Sequence, residues 1–258
     1  MCIRDRHKPA GYEDIFPRPL SGHSVSLPPP ALLPSRAELV GREVVLEPQN
    51  ALLHAEQLYI AGHESPEALA IWDYLTYGPW PNVDAYKEVL RSQSASTDPI
   101  FYAIRSKQSG RACGQASFLD NNAQHGVTEI GHIWFAPELQ RTRAATEALF
   151  LMLSHAFDDL NYRRMQWRCN SLNQKSRTAA RRLGFRFEGV FYNHLIFKGK
   201  NRDTAWYSIL DTEWPEVRSI IEHWLGHDNF DATGSPLTSL AQNMQTRTNP
   251  KRNSDDLN

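Results

Sequence analysis

The chain has 258 residues, 41% of them hydrophobic, enough for one core of ordinary size. A formal net charge of −1 excludes a molecule that binds polyanions with its whole surface. No apolar run approaches the roughly 18 residues a membrane span needs, the start lacks a signal-peptide apolar region, and Cys2, Cys113 and Cys169 form no metal spacing. A reducing, cytoplasmic setting is expected, with the cysteines as small buried hydrophobes.

Residues 1–40 hold seven of the sixteen prolines and few anchors for a core, so they read as an extended or disordered arm. Residues 1–6 look like translated adapter sequence and are set aside. Residues 44–47 predict a first strand, and 51–60 a helix with Leu52, Ala55 and Tyr59 on one face. Tyr77-Gly78-Pro79-Trp80-Pro81 is a rigid aromatic loop, and 83–90 a second helix started by Asn82 or Asp84. Residues 101–104 and 112–119 predict an antiparallel pair joined at Ser109-Gly110. Residues 129–135 predict the next strand. A polar, basic turn follows, then a long helix with the stripe Leu149, Leu153, Ala156, Phe157 and Leu160.

Residues 165–169 form a strand centred on Trp167. Asn173 suits an N-cap, Ala179, Ala180 and Leu183 share a helical face, and Gly184 suits the left-handed stop. Strands over 185–192 and 204–210 flank a turn at 198–201, and 215–225 predicts a last helix. The expected division is an arm at 1–40, one domain at 41–228 and a polar disordered tail at 229–258. The interleaving of strands and helices predicts a mixed α/β sheet.

Chemistry concentrates in two segments. In the first, the strand of residues 129–135 runs through Gln140-Arg141-Thr142-Arg143-Ala144-Ala145-Thr146 into the long helix. The first N–H groups of such a helix have no internal partners, and its dipole adds positive potential, so phosphates bind there. Between residues 140 and 190 ten Lys/Arg face four acids, a surplus of six that suits a polyphosphate. Within it, Arg181 and Arg182 read as a solvated basic face. The second segment is Asn173-Gln-Lys-Ser176-Arg-Thr-Ala-Ala180-Arg-Arg-Leu183-Gly184-Phe185-Arg-Phe-Glu188-Gly189.

Together these segments resemble the GNAT acetyltransferase superfamily, above all its ribosomal-protein N-terminal acetyltransferase-like branch. The family's turn, Gln/Arg-x-x-Gly-x-Gly/Ala, is matched at Gln140 and Ala145, with Arg143 where the middle glycine stands. The second segment matches the family signature at every fixed position, and the likeness spans roughly residues 42–214. It implies a six- or seven-stranded mixed sheet, flanked by helices and splayed open between the 129–135 and 165–169 strands. Acetyl-CoA would enter that gap. Its pantetheine would meet the backbone of Ile133, Trp134 and Phe135, and its pyrophosphate the turn from Gln140 to Thr146, Arg141 and Arg143 adding charge. The implied activity is acetyl transfer to a primary amine, on a protein N-terminus or a small molecule, by direct attack without a metal.

Asn173 would face the cofactor, or cap its helix alone, or do both. Ser176 would donate to the thiolate or sit as a helix-surface hydroxyl. Glu129 is the candidate general base, against a structural carboxylate paired with arginine; His132 is the second candidate. Trp80 and Asp203 are candidate acceptor contacts, against a core seal and an ordinary turn. Two other readings stay open. One is a non-catalytic CoA-binding module. The other is an RNA-binding strand, because Tyr162-Arg163-Arg164-Met165-Gln166-Trp167-Arg168 interleaves basic and aromatic residues. The identity of the acceptor and the oligomeric state are not encoded in any motif.

Overall fold

Short polar side chains cap most of the helix starts among the described residues. A computed structural model describes residues 30–248; residues 1–29 and 249–258, with most of the expected arm and the last part of the expected tail, lie outside the described residues. Strands β1 (Leu39–Val40) and β2 (Val44–Pro48) lead to helix α1 (Ala51–His63), where Asn50 Oδ1 accepts from the N–H groups of Leu52 and Leu53. The short α2 (Pro66–Leu69) follows, then α3 (Val83–Ala95), capped by Asn82. Next come β3 (Ile100–Ser106), β4 (Ala112–Asn122) and β5 (Val127–Phe135), then α4 (Arg143–Ser154), capped by Thr142. Strand β6 (Arg164–Asn170) precedes α5 (Gln174–Arg182), capped by Asn173. Strands β7 (Arg186–Phe197) and β8 (Lys200–Leu210), α6 (Trp214–Trp224) and α7 (Leu240–Gln245) complete the order.

Among the described residues the sheet has eight strands, in the order β1-β2-β3-β4-β5-β6-β8-β7. That is the mixed α/β architecture expected, with the two-residue β1 added to the seven strand segments the sequence indicates. Two residues are too few for a periodic signal. Only β5 and β6 run parallel; every other neighbouring pair is antiparallel. Leu149, Met152, Leu153 and Ala156 of α4 and its continuation pack with Ile130, Met165, Trp167 and Ile209 in the main core. A second core, around Leu58, Trp72, Tyr86 and Leu90, lies under α1 and α3. Gly184 ends α5 at φ 94, and an added Cβ would meet the Val217 methyls at 3.0 Å, so the helix stop also allows α6 its close approach.

Two boundaries need correction. Residues 30–36 run along the domain rather than away from it. Leu32 N–H donates to Leu160 O at 2.9 Å, and the Tyr102 hydroxyl donates to Ser35 O at 2.8 Å. At the other end the fold continues past 228. The Phe230 ring meets Trp224, and Leu240 and Met244 of α7 enter the main core. A six-residue helix with two buried contacts leaves too little periodicity to be read from a polar stretch. Among the described residues, no helix is long and apolar enough to cross a membrane.

Candidate active site

The site begins where a ladder stops. Strands β5 and β6 pair only at Val127↔Arg164, Thr128↔Met165 and Glu129↔Gln166. Beyond Glu129 they part, and β5 from Gly131 to Phe135 faces β6 from Trp167 to Asn170 across an opening. A bulge marks the divergence. The β4 register passes from Ser117↔Gly131 to Gln115↔Trp134, so His132 and Ile133 stand opposite Ala116 alone. His132 takes the left-handed conformation at φ 52. Its ring stacks on Tyr77 with centroids 5.5 Å apart, and its Nδ1 lies 3.0 Å from the Tyr77 hydroxyl. Gln115 Nε2 donates to that hydroxyl at 3.1 Å. Burial pushes the His132 pKa down to about 4, so the ring is neutral at physiological pH.

Past the opening, β5 runs into the turn before α4. Gln140 folds back, its Nε2 donating to Phe135 O at 2.9 Å. The left-handed angle that the turn needs falls on Arg141, at φ 62, while Arg143 is an ordinary first-turn residue. The missing glycine therefore costs no strain at its own position. Thr142 Oγ1 accepts from Ala145 N–H at 3.1 Å, and Thr146 N–H bonds Thr142 O. The N–H groups of Arg143 and Ala144 have no partner among the described residues, as expected of a helix start.

The arginines sort differently from expectation. Arg143 Nη2 donates to Leu225 O at 2.6 Å, its Nη1 lies 3.5 Å from Glu43 Oε1, and its guanidinium stands over Phe230. Its side chain ties the C-terminal segment to α4 and does not fold over a phosphate. Arg182, read from sequence as a solvated face, is mostly buried. Its Nη1 donates to Thr146 Oγ1 at 2.9 Å and its guanidinium lies over Trp224, with no carboxylate in ion-pairing distance among the described residues. Burial alone pulls its pKa down. A helical arginine that reaches the start of another helix cannot be told from a surface one by spacing. Arg141 is exposed and makes no side-chain bond among the described residues.

On the α5 side, Asn173 Oδ1 is used by Ser176 N–H at 3.0 Å, which leaves its amide NH₂ for other partners. Ser176 is not an idle surface hydroxyl: Trp167 Nε1 donates to its Oγ at 3.0 Å. The hydroxyl proton therefore points elsewhere.

Glu129 closes the apex of the V. Its carboxylate is almost wholly buried and ion-paired with Arg168, which also pairs with Asp120 and lies over Trp206. Burial outweighs the attraction of Arg168 and pushes the Glu129 pKa up to about 7. The arginine pairing of the structural alternative is present, and the raised pKa is compatible with the other.

The two expected acceptor contacts both engage protein partners. The Trp80 ring lies 4.7 Å from Tyr86 and 5.0 Å from Trp72 between centroids, partly buried against the second core. Tyr77 of the same loop reaches His132, whose ring also meets Phe101. Asp203 Oδ1 accepts from Asn193 N–H and Asn201 Nδ2, holding the β7–β8 hairpin. The hairpin tip crosses to the other side of the site, where Lys198 Nζ donates to Trp72 O at 2.7 Å. The RNA-binding reading of residues 162–168 also fails. Tyr162 and Trp167 are buried, Arg164 pairs with Glu188, and Arg168 is held by Glu129 and Asp120. No ring there is free to stack on a base.

Residues 44–186, more than half of the chain, match the family described as the acetyltransferase (GNAT) domain. The chain is 28% identical over 174 residues to the Bacillus subtilis (strain 168) protein YdaF, named provisionally as a ribosomal N-acetyltransferase; the match covers 66% of this chain and 91% of that one. A crystal structure of a GCN5-related N-acetyltransferase from Brucella melitensis superposes with a TM-score of 0.82 at 40% identity, covering 84% of this chain and 97% of that chain. A GNAT-family structure from Chromobacterium violaceum ATCC 12472 gives 0.70 at 38% identity, covering 77% and 99%.

Proposed function

The chain belongs to the GNAT acetyltransferase family, and we propose that it carries acetyl-CoA in the β5–β6 opening and passes the acetyl group directly to a primary amine of a small molecule or protein N-terminus. The family transfers acetyl groups from acetyl-CoA; the atoms assigned below are our reading. The pantetheine arm lies along Ile133, Trp134 and Phe135, where the β5 edge lacks a β6 partner. The diphosphate rests on the N–H groups of Arg143 and Ala144, with Arg182 beside them and Arg141 in reach from solvent. A cation pressed against a helix N-terminus is unfavourable unless an anion joins them, and Arg182 has no protein carboxylate there to supply one.

Glu129, titrating near pH 7, accepts the amine proton directly or through water. The amine nitrogen attacks the thioester carbonyl, the C–N bond forms, and the C–S bond breaks. Ser176, its oxygen already holding Trp167, donates to the departing thiolate, and the Asn173 amide holds the arm. His132, neutral and bonded to Tyr77, shapes the bulge; at a pKa of about 4 it is the weaker base of the two. Holding both substrates in line supplies much of the rate without a covalent intermediate.

The observation that carries this reading is the three-pair ladder that opens toward the start of α4, where the Thr142 cap leaves the Arg143 and Ala144 amides without partners among the described residues. The experiment is thiol release from acetyl-CoA across an amine panel, with CoA binding followed by calorimetry. Release that depends on both amine and Glu129 supports the reading. Tight CoA binding with no transfer to any amine would replace it with the non-catalytic module.

A further inference from the structure

Glu129 shares its face of the sheet with a guanidinium that no protein carboxylate answers. Glu129 pairs with Gln166, Arg168 alternates with Gln166, and Arg168 pairs with Trp206. Directly paired residues and alternate residues share a face. Counting back along β8 from Trp206 through Thr204 places Arg202 on that face as well. Strand β6 ends at Asn170, opposite Thr204, so Arg202 lies just beyond it, at the mouth of the V.

The two arginines on this face differ. Arg168 is fully engaged by Glu129, Asp120 and the Trp206 ring. Arg202 Nε is buried without a hydrogen-bond partner, and no Asp or Glu among the described residues lies within ion-pairing distance of its guanidinium. The adjacent acid, Asp203, is spent on Asn193 and Asn201. Burial weakens the charged form of Arg202, and the fields of Glu129 and Arg168 both reach it. A half-buried guanidinium without a counter-ion is costly, and a bidentate carboxylate offsets that cost with two charge-assisted bonds. The fold has placed such a group on the same face as the base, at the entrance an acceptor must pass.

We propose that the acceptor carries a carboxylate besides its amine, and that Arg202 binds this carboxylate so that the amine is turned toward Glu129. The proposal rests on the transferase reading above and names the substrate class for that site. The hairpin tip, fixed by Lys198 on Trp72, holds β8 in place over the opening.

The test uses matched acceptors that differ only in charge: free amino acids against their carboxamides, and short peptides with Glu against Gln as the second residue. The full chain and its Arg202→Gln and Arg202→Lys variants are compared by kcat/KM. The carboxylate member is expected to win by about tenfold or more in at least one set. That ratio collapses toward one in R202Q and is partly kept in R202K. The set that shows the preference says whether the carboxylate comes from a free amino acid or from a peptide. No preference in either set, or a preference that survives R202Q, overturns the proposal, even where R202Q lowers all rates together. Calorimetry of the same carboxylates on CoA-loaded protein reads the comparison without turnover. A wild type that binds carboxylates through Arg202 but never releases thiol would sink the transferase reading, and the acceptor proposal with it, leaving only a carboxylate site at Arg202.

Discussion

The two sides of the β5–β6 opening are built from different materials. On the side we assign to the cofactor the groups are mostly backbone: a strand edge at Ile133–Phe135 without a β6 partner and first-turn amides at Arg143 and Ala144, set by the Thr142 cap. On the side we assign to the acceptor they are side chains shifted by burial: Glu129 raised to about 7, His132 lowered to about 4, and Arg202 half-buried without a counter-ion. A cofactor that never changes can be held by groups every sequence possesses. An acceptor must be chosen, and choice needs side chains whose charge is tuned by burial.

The comparison breaks most visibly at Glu129. Glu129→Gln should lower kcat by about 10²–10⁴ while leaving CoA affinity near its original value. In the parent the rate should climb as pH rises through about 7, because the base works only when deprotonated and its pKa is raised to that value. The variant should lose that limb; a pH–rate profile checks both. An unchanged limb would move the base elsewhere.

On the cofactor side the expected effect is smaller and of another kind. Arg182→Gln should weaken CoA binding about tenfold, the worth of one charge-assisted contact, with kcat little altered. Calorimetry at two salt concentrations measures it. Equal affinity would return Arg182 to a purely structural role over Trp224.

Tyr77→Phe sharpens the acceptor side. It removes the hydroxyl that Gln115 and His132 share, leaving both partners short of a bond. A loss of about 1–3 kcal/mol in folding stability is expected, together with a raised KM for the amine and an unmoved KM for acetyl-CoA. A shift in both KM values would mean that the bulge positions the cofactor too. Smallest is Thr142→Val, which removes the α4 cap and the hydroxyl's bond to Leu139 O and should cost about 1 kcal/mol in denaturant unfolding.

The same contrast decides what the sequence made legible. The caps at Asn82, Thr142 and Asn173 and the stop at Gly184 act within a few residues, so their signals are local and readable. The order of the chemistry along the chain, strand to anion turn to long helix, followed from the same local rules. Arg182, Arg202 and Tyr77 depend on what lies across the fold from them, 36 residues away for the Arg182–Thr146 bond and 55 for Tyr77–His132. No spacing rule carries that distance. Arg143 shows the reverse error: its place in the motif suggested phosphate, but Leu225, at the end of the last predicted helix, and Phe230, in a segment that reads as polar and aperiodic, take its side chain. The left-handed turn residue lies at Arg141, two positions before the place of the family's middle glycine.

Backbone amide hydrogen exchange, resolved along β5 with and without CoA, tests the central claim most directly. The account expects Val127–Glu129 to be protected in both states, and Ile133–Phe135 to gain protection when CoA binds, together with the Arg143 and Ala144 amides. CoA binding that leaves Ile133–Phe135 exchanging as before, or protection of the whole strand without ligand, would contradict it.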